Sequence, residues 1–407
     1  MNFEETEEQA MIREMVRDFA EEVLLPTVNS RDAGQSPPRN EWKAFIDSGL
    51  HSITIPEEFG GNPVDHISES IIIEELARVD PSFAVMFCVH VGLCSMTIAL
   101  HGNQEQKEKY LPQLAANKVG AYSLSEAGAG TDAAAMICKA KLSDDGKHYI
   151  LNGEKMWVTN GAQAQIYVLF AKDVDHPDYG VKKHGGSTAF IVEQSFEGFT
   201  VGKKEDKLGI RSSDTCTLIL ENCKVPAENV LKAPGKGFAI AMNALDNSRI
   251  GIAAQALGIA QGAYECALKY AHEREAFGKT IANHQMITTY LADMATKIEA
   301  SRLLVYKASW TKQNHYENAG FNVIPDPNQT NGVQIELIGE RTYKIDFPKI
   351  EAQQSGLVNL KNSVLNTADE FNNNSYYELP KWLIESISGE DDQIIPGNFL
   401  HLKNRSE

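Results

Sequence analysis

Tyr122-Ser123-Leu124-Ser125-Glu126-Ala127-Gly128-Ala129-Gly130-Thr131-Asp132-Ala133 is the stretch around which the rest of the chain can be read. Hydroxyls at Ser123, Ser125 and Thr131 alternate with Gly128 and Gly130, whose missing side chains let backbone N–H groups approach an anionic or flat ligand closely. Such a stretch is a cradle. Downstream, past two short strand-like runs, stands Asn152-Gly153-Glu154-Lys155-Met156-Trp157-Val158-Thr159-Asn160-Gly161. An indole and a hydroxyl two residues apart share one face of a strand, so the spacing predicts Trp157 and Thr159 side by side. A Gly-rich turn alone usually serves backbone geometry, and Trp157 alone reads as a core aromatic. The pair in one chain is the informative observation.

Composition sets the bounds. A chain of 407 residues is long enough for two or three cores. A net charge of −17 argues against nucleic acid or an anionic membrane surface as a main partner, because both require clustered Lys and Arg. Cys88, Cys94, Cys138, Cys216, Cys223 and Cys266 are scattered without metal-ligand spacing; they read as reduced thiols of an intracellular, cytoplasmic protein with no metal site. The opening Met1-Asn2-Phe3-Glu4-Glu5 fits neither a secretory signal nor an Arg-rich transit peptide. No apolar run is expected to be long enough to span a bilayer.

Periodicity divides the chain. Over residues 1–117 apolar residues recur at helical spacing, beginning with Met11, Ile12, Met15, Val16, Phe19, Val23 and Leu24. The run 83–99 is apolar nearly all round and reads as a central helix, while 104–116 reads as a helix interrupted at Pro112. Over 118–232 the period falls to two, with turn pairs at Asp145-Gly146, Asn152-Gly153 and Asn160-Gly161; an antiparallel sheet forming a small β-barrel or sandwich follows. Helical spacing returns over 233–315, where Ala253, Ala254, Ala256, Ala260, Ala263 and Ala267 allow close helix packing in a bundle. The fold class is therefore α+β.

Together the two motifs resemble the flavin-binding β-domain of the acyl-CoA dehydrogenases, and the resemblance covers about residues 1–310, the helix from Leu245 to Gln261 being most similar to the short-chain branch. The resemblance implies noncovalent FAD held by Leu124, Ser125, Gly130, Thr131, Trp157 and Thr159. It also implies that Arg274, Phe277 and Gln285 reach a neighbouring subunit's flavin in a homo-oligomer, a dimer or tetramer. Arg274 suits that task because a planar guanidinium donates two hydrogen bonds to a pyrophosphate. Thr131, Asp246 and Arg249 are implied as contacts to acyl-CoA. The segment Lys207-Leu208-Gly209-Ile210-Arg211-Ser212-Ser213-Asp214-Thr215 is similar to one beside the family's substrate channel. The implied activity is α,β-dehydrogenation of an acyl-CoA thioester, as in fatty-acid β-oxidation, with electrons passing to an electron-transfer flavoprotein.

After about His315 the resemblance stops. Residues 316–407 are poor in Ala, rich in Asn and punctuated by Pro325, Pro327, Pro348, Pro380 and Pro396. The family's Tyr-Glu-Gly-Thr motif, whose Glu is the catalytic base, is missing. The alternative family position for the base holds Ser248, which cannot serve. Glu351 and Glu370 are the carboxylates of the tail considered for the role, and the catalytic residue stays unknown. A protein of the same fold that binds flavin or acyl-CoA without turning it over is the alternative reading.

Overall fold

The computed structural model describes residues 5–316 and two paired dipeptide strands, Ile335–Glu336 and Lys344–Ile345. The chain divides into two units, Met1–Asn314 and His315–Glu407; Glu351 and Glu370 lie outside the described residues.

The first helix, α1 (Glu7–Phe19), starts at a capping box in which Thr6 and Gln9 satisfy each other's backbone N–H groups. Ile12, Val16, Ala20 and Leu24 are all buried. Their spacing of four residues is longer than an α-turn. A π-helical stretch, Ala20–Leu24, absorbs the mismatch before α2 (Leu25–Ala33). After α3 (Arg39–Ile46) and α4 (His66–Val79), α5 (Pro81–Cys88), a π-helical stretch (Val89–Ser95) and α6 (Met96–His101) form one continuous rod. The rod corrects one expectation: by length and composition, at 21 residues with mean hydropathy 2.1 over an 18-residue window, it is long and apolar enough to span a membrane. That window is 78% buried inside the protein, which is the environment of a core helix. The helix α7 (Gln104–Ala116) runs through Pro112 rather than breaking there.

The middle segment contains β1 (Gly120–Ser123), β2 (Lys139–Leu142), β3 (His148–Thr159), β4 (Ile166–Asp173), β5 (Ser187–Glu193), β6 (Phe199–Lys204) and β7 (Thr215–Pro226) in one sheet. The expected antiparallel barrel is refined in two respects. Both β1 and β2 pair parallel with β4, one after the other along the same edge, because the cradle loop carries the chain between them without reversing it. The ladders also run as an open path from β5 to β6. Of the three expected turns, Asn152-Gly153 lies inside β3, where the ladder to β7 shifts register. Gly153 takes φ 148°, and a Cβ there would stand 2.9 Å from the backbone of Cys138. The glycine serves a close strand approach, not a reversal.

Two long helices complete the first unit: α8 (Gly237–Glu273) and α9 (Gln285–Thr311), joined through a small hairpin of β8 (Glu275–Ala276) and β9 (Lys279–Thr280). They pack on one another and on α4, so their buried Ala254, Leu257, Ile298 and Val305 belong to the same core as Ile71, Ile72 and Leu76. An ion network staples the seam. Glu75, buried on α4, pairs with Arg13, Arg17 and Arg78, while neighbouring Glu74 accepts from Arg302 and Tyr306 of α9.

Candidate functional site

The cradle begins where β1 ends. Glu126 and Ala129 close it into a small loop by exchanging backbone hydrogen bonds of 3.1 and 3.0 Å. Neither Gly128 nor Gly130 has positive φ, and a Cβ on either would meet nothing within 4 Å. The two glycines are therefore not demanded by the turn itself; they leave an uncovered strip of backbone facing open space. Leu124 and Ser125 are half-buried beside that strip, and Gly130 and Thr131 are exposed.

The structure brings the two motifs together. Met156 N–H donates to the Ser125 carbonyl at 2.9 Å. Beneath that joint, the Lys155 ammonium, fully buried, donates to Glu126 Oε1 at 2.7 Å and to the Leu124 carbonyl at 3.1 Å. The Glu126 carboxylate in turn accepts from the N–H groups of Ile137 and Cys138. Each lone charge would be costly in this interior, so the pair and its backbone bonds are mutually required. Both stand in the quoted stretches, but the sequence alone assigns neither a role. The available signal was a lysine on the inward side of a strand, two residues from Trp157.

Trp157 departs from the expected geometry. The β3–β7 register shifts between Lys155 and Val158, and Trp157 takes φ 56° with its ring 56% exposed. The strand there is not regular: a bulge interrupts the ladder at the exposed Trp157, while Thr159 is half-buried and pairs with Thr215. Residues held in such sparsely populated backbone conformations cluster at functional sites. Beyond the strand, buried Asn160 donates to Met86 and Gly120, and Asp214 accepts from Ala162 and Gln163. Burial raises the Asp214 carboxyl above its ordinary range, with those two N–H groups opposing. Leu208, in the loop just before it, is fully exposed.

The remaining residues lie on the long helices. Asp246 and Arg249 form an ion pair of 2.6 Å within α8, with the arginine side chain exposed and burial raising the Asp246 carboxyl. Ser248 donates its hydroxyl to the Leu245 carbonyl of its own helix. Arg274 caps α8, Gln285 opens α9, and Phe277 sits at the tip of the β8–β9 hairpin. The tip residues Phe277 and Gly278 both have positive φ, as a tight two-residue hairpin demands. Phe277 is 97% exposed, and the hairpin points these side chains into solvent.

Residues 6–118 match the acyl-CoA dehydrogenase N-terminal domain, 121–223 the middle domain and 235–323 the C-terminal domain. The chain belongs to the acyl-CoA dehydrogenase family. It is 44% identical over 314 residues to the short-chain specific acyl-CoA dehydrogenase of Clostridium acetobutylicum, covering 77% of this chain and 81% of that one. Its fold superposes with TM-score 0.73 on butyryl-CoA dehydrogenase from Megasphaera elsdenii, at 43% identity over 77% of this chain and 81% of that one. The same TM-score, with 46% identity and the same two coverages, holds for a chain from the structure of an electron transferring flavoprotein of Acidaminococcus fermentans.

Neither position expected to carry the carboxylate does so: Ser248 is committed to its own helix, and the residues after 316 bear no Tyr-Glu-Gly-Thr.

Proposed function

We propose that the chain is an FAD-dependent dehydrogenase of short- or branched-chain acyl-CoA thioesters. The hydrogen bond from Met156 N–H to the Ser125 carbonyl carries the reading, because it joins the uncovered cradle to the strand presenting Trp157. The residues fit the cofactor: open backbone at Gly128 and Gly130 suits a pyrophosphate, and the exposed indole suits a flat ring. In this reading Leu124, Ser125, Gly130, Thr131, Trp157 and Thr159 hold FAD, and Thr131, Asp246 and Arg249 hold acyl-CoA. Bound FAD supplies the acceptor for the hydride leaving Cβ.

The protein's own task is to orient the thioester and acidify its α-proton. Donors aligned on the thioester oxygen lower the cost of the developing negative charge, and a base within hydrogen-bond reach takes the proton, a contribution of ~10²–10⁴-fold. Glu351 and Glu370 remain the two tail carboxylates to test for that role.

We further infer a homo-oligomer, dimer or tetramer, in which Arg274, Phe277 and Gln285 serve a neighbour's cofactor; their exposed hairpin supports this. The likeness to the Acidaminococcus chain supports an electron-transfer flavoprotein as electron acceptor. Five buried free thiols support a cytoplasmic setting, and the chemistry belongs to fatty-acid β-oxidation.

Anaerobic titration of the purified yellow protein with butyryl-CoA, then longer and branched thioesters, tests the reading. Bleaching of the flavin band is expected, and Glu351→Gln and Glu370→Gln then identify the base. A flavin band unchanged by every thioester overturns the dehydrogenase reading and leaves a cofactor-binding protein.

A further inference from the structure

The ammonium of Lys155 bridges two different groups of the cradle. Its side chain is wholly buried on the strand that carries Trp157, and it donates both to Glu126 Oε1 at 2.7 Å and to the Leu124 carbonyl at 3.1 Å. The carboxylate it faces is shared. Glu126 also accepts from the N–H groups of Ile137 at 2.6 Å and Cys138 at 3.1 Å, so part of its charge is drawn to the far side and the ammonium keeps a net pull on the carbonyl. Filling this space would need no charge at all. A buried ion pair is often no more stabilising than an apolar pair of the same shape, so the charge at this point calls for a role beyond packing.

The Leu124 carbonyl belongs to the peptide unit that carries the Ser125 N–H. A cation at the oxygen end of an amide draws electron density along it, and the N–H at the other end becomes the stronger donor. That donor is open. Neither the Ser125 N–H nor its hydroxyl has an acceptor among the described residues, whereas the Ser125 carbonyl is held by the Met156 N–H at 2.9 Å. Ser125 is thus fixed from both sides, half-buried, next to the uncovered backbone of Gly128 and Gly130. A donor strengthened by its own protein and left without a partner implies an acceptor from outside the chain.

We propose that Lys155 is a positioning residue for the cofactor: acting through the Leu124–Ser125 peptide, it prepares the Ser125 N–H as a donor to the isoalloxazine and so raises the reduction potential of bound FAD. The proposal rests on the FAD-binding reading above. Two-electron reduction adds negative charge to the ring system, and a donor fixed in advance favours the charged form over the neutral one without reorganising. Burial keeps the ammonium from being screened as a surface lysine would be.

Spectroelectrochemical measurement of the flavin midpoint potential in the substrate-free holoprotein tests the assignment, and it needs no turnover, so the identity of the base does not enter. The double variant Lys155→Met, Glu126→Gln removes both charges and keeps the side-chain volumes. Losing the cation should weaken the preference for reduced flavin about tenfold, as for a hydrogen bond to a charged group, which is a fall of ~30 mV for a two-electron couple. Glu126→Gln alone keeps the ammonium and removes the charge that opposes it, so its potential should lie above that of the wild type. A merely structural pair would move both variants alike. An unchanged potential in the double variant, or one that is not raised in Glu126→Gln, overturns the proposal. If the double variant does not retain flavin, the sign of the Glu126→Gln shift decides. A wild-type protein that takes up no FAD overturns the FAD-binding reading and this proposal with it, whereas a flavoprotein whose potential ignores the pair overturns the proposal alone.

Discussion

At the scale of single residues, Trp157 separates function from stability. It combines a positive φ of 56° with a ring 56% exposed, so it gives the fold little burial and costs about 1–2 kcal/mol of backbone strain. Trp157→Gly should therefore change the stability of the flavin-free protein by less than about 1 kcal/mol, the relief of strain roughly offsetting glycine's entropy. Trp42→Ala, at a ring only 5% exposed, should cost about 3–5 kcal/mol. Urea unfolding of both variants, with flavin retention read at the visible band, distinguishes the two roles; Trp157→Gly should lose flavin. A large loss of stability at Trp157 would return it to the core. The sequence made Trp157 and Thr159 legible as a pair, since their spacing is local. It did not reveal that a bulge interrupts the ladder there, because the bulge depends on which residues of β7 lie opposite. The Lys155–Glu126 pair escaped for the same reason: its partners are 29 residues apart and meet only in the fold.

At the scale of elements, the helix seams rest on missing side chains. On α8 a Cβ at Gly258 would stand 2.2 Å from the Glu74 carbonyl oxygen, and one at Gly262 2.0 Å from that of Arg78. These obstacles are backbone atoms of α4 and cannot swing aside. Gly262→Ala, favourable in an isolated helix, should here destabilise by about 1–3 kcal/mol, as overpacking does, visible as a lowered midpoint in urea. The alanine-rich pattern announced close packing, but not that its partner is α4, which lies far off in sequence. His90, in the π-helical stretch of the central rod, joins that rod to the sheet: its Nδ1 accepts the Gly120 N–H at 3.0 Å. Complete burial lowers its pKa to about 3, with nearby His51 adding to the effect. The unfolded imidazole titrates near its ordinary ~6.5, so below that pH the unfolded chain binds a proton that the folded chain refuses. The stability present above pH 6.5 is then lost as pH falls toward 3, by up to ~1.4 kcal/mol per unit. His90→Asn keeps an acceptor and removes the titration; its stability curve between pH 6.5 and 4 should be flatter by about that slope, read by urea unfolding at stepped pH. An unchanged slope would mean that His90 is not the group concerned.

At the scale of the whole molecule, apolar surface is distributed unevenly. The central rod is buried nearly throughout, whereas α9 has only Ile298, Val305 and Ser309 buried. Those three lie on one narrow stripe, at spacings of seven and four residues, and the stripe faces the shared core. On the other sides Met286, Tyr290, Leu303 and Leu304 are 68, 54, 53 and 68% exposed, with Tyr270 of α8 57% exposed. At about 25 cal/mol per Å², covering such side chains stabilises any partner that fits. A stable interface needs roughly 1,200–2,000 Å² in total, which two adjoining helices of 37 and 27 residues can supply. The partner we infer is a second copy, because the Phe277 hairpin between the same two helices is also uncovered, as the proposed sharing of a neighbour's cofactor requires. Met286→Glu with Leu304→Glu should then reduce the mass measured by light scattering from oligomer to monomer, leave helicity intact, and lower flavin retention in the same preparation, since the neighbour's Arg274 would be withdrawn with the interface. Loss of mass with flavin fully retained would separate the two roles and assign the cradle to one chain alone. A wild-type protein already monomeric at micromolar concentration would remove the oligomer altogether.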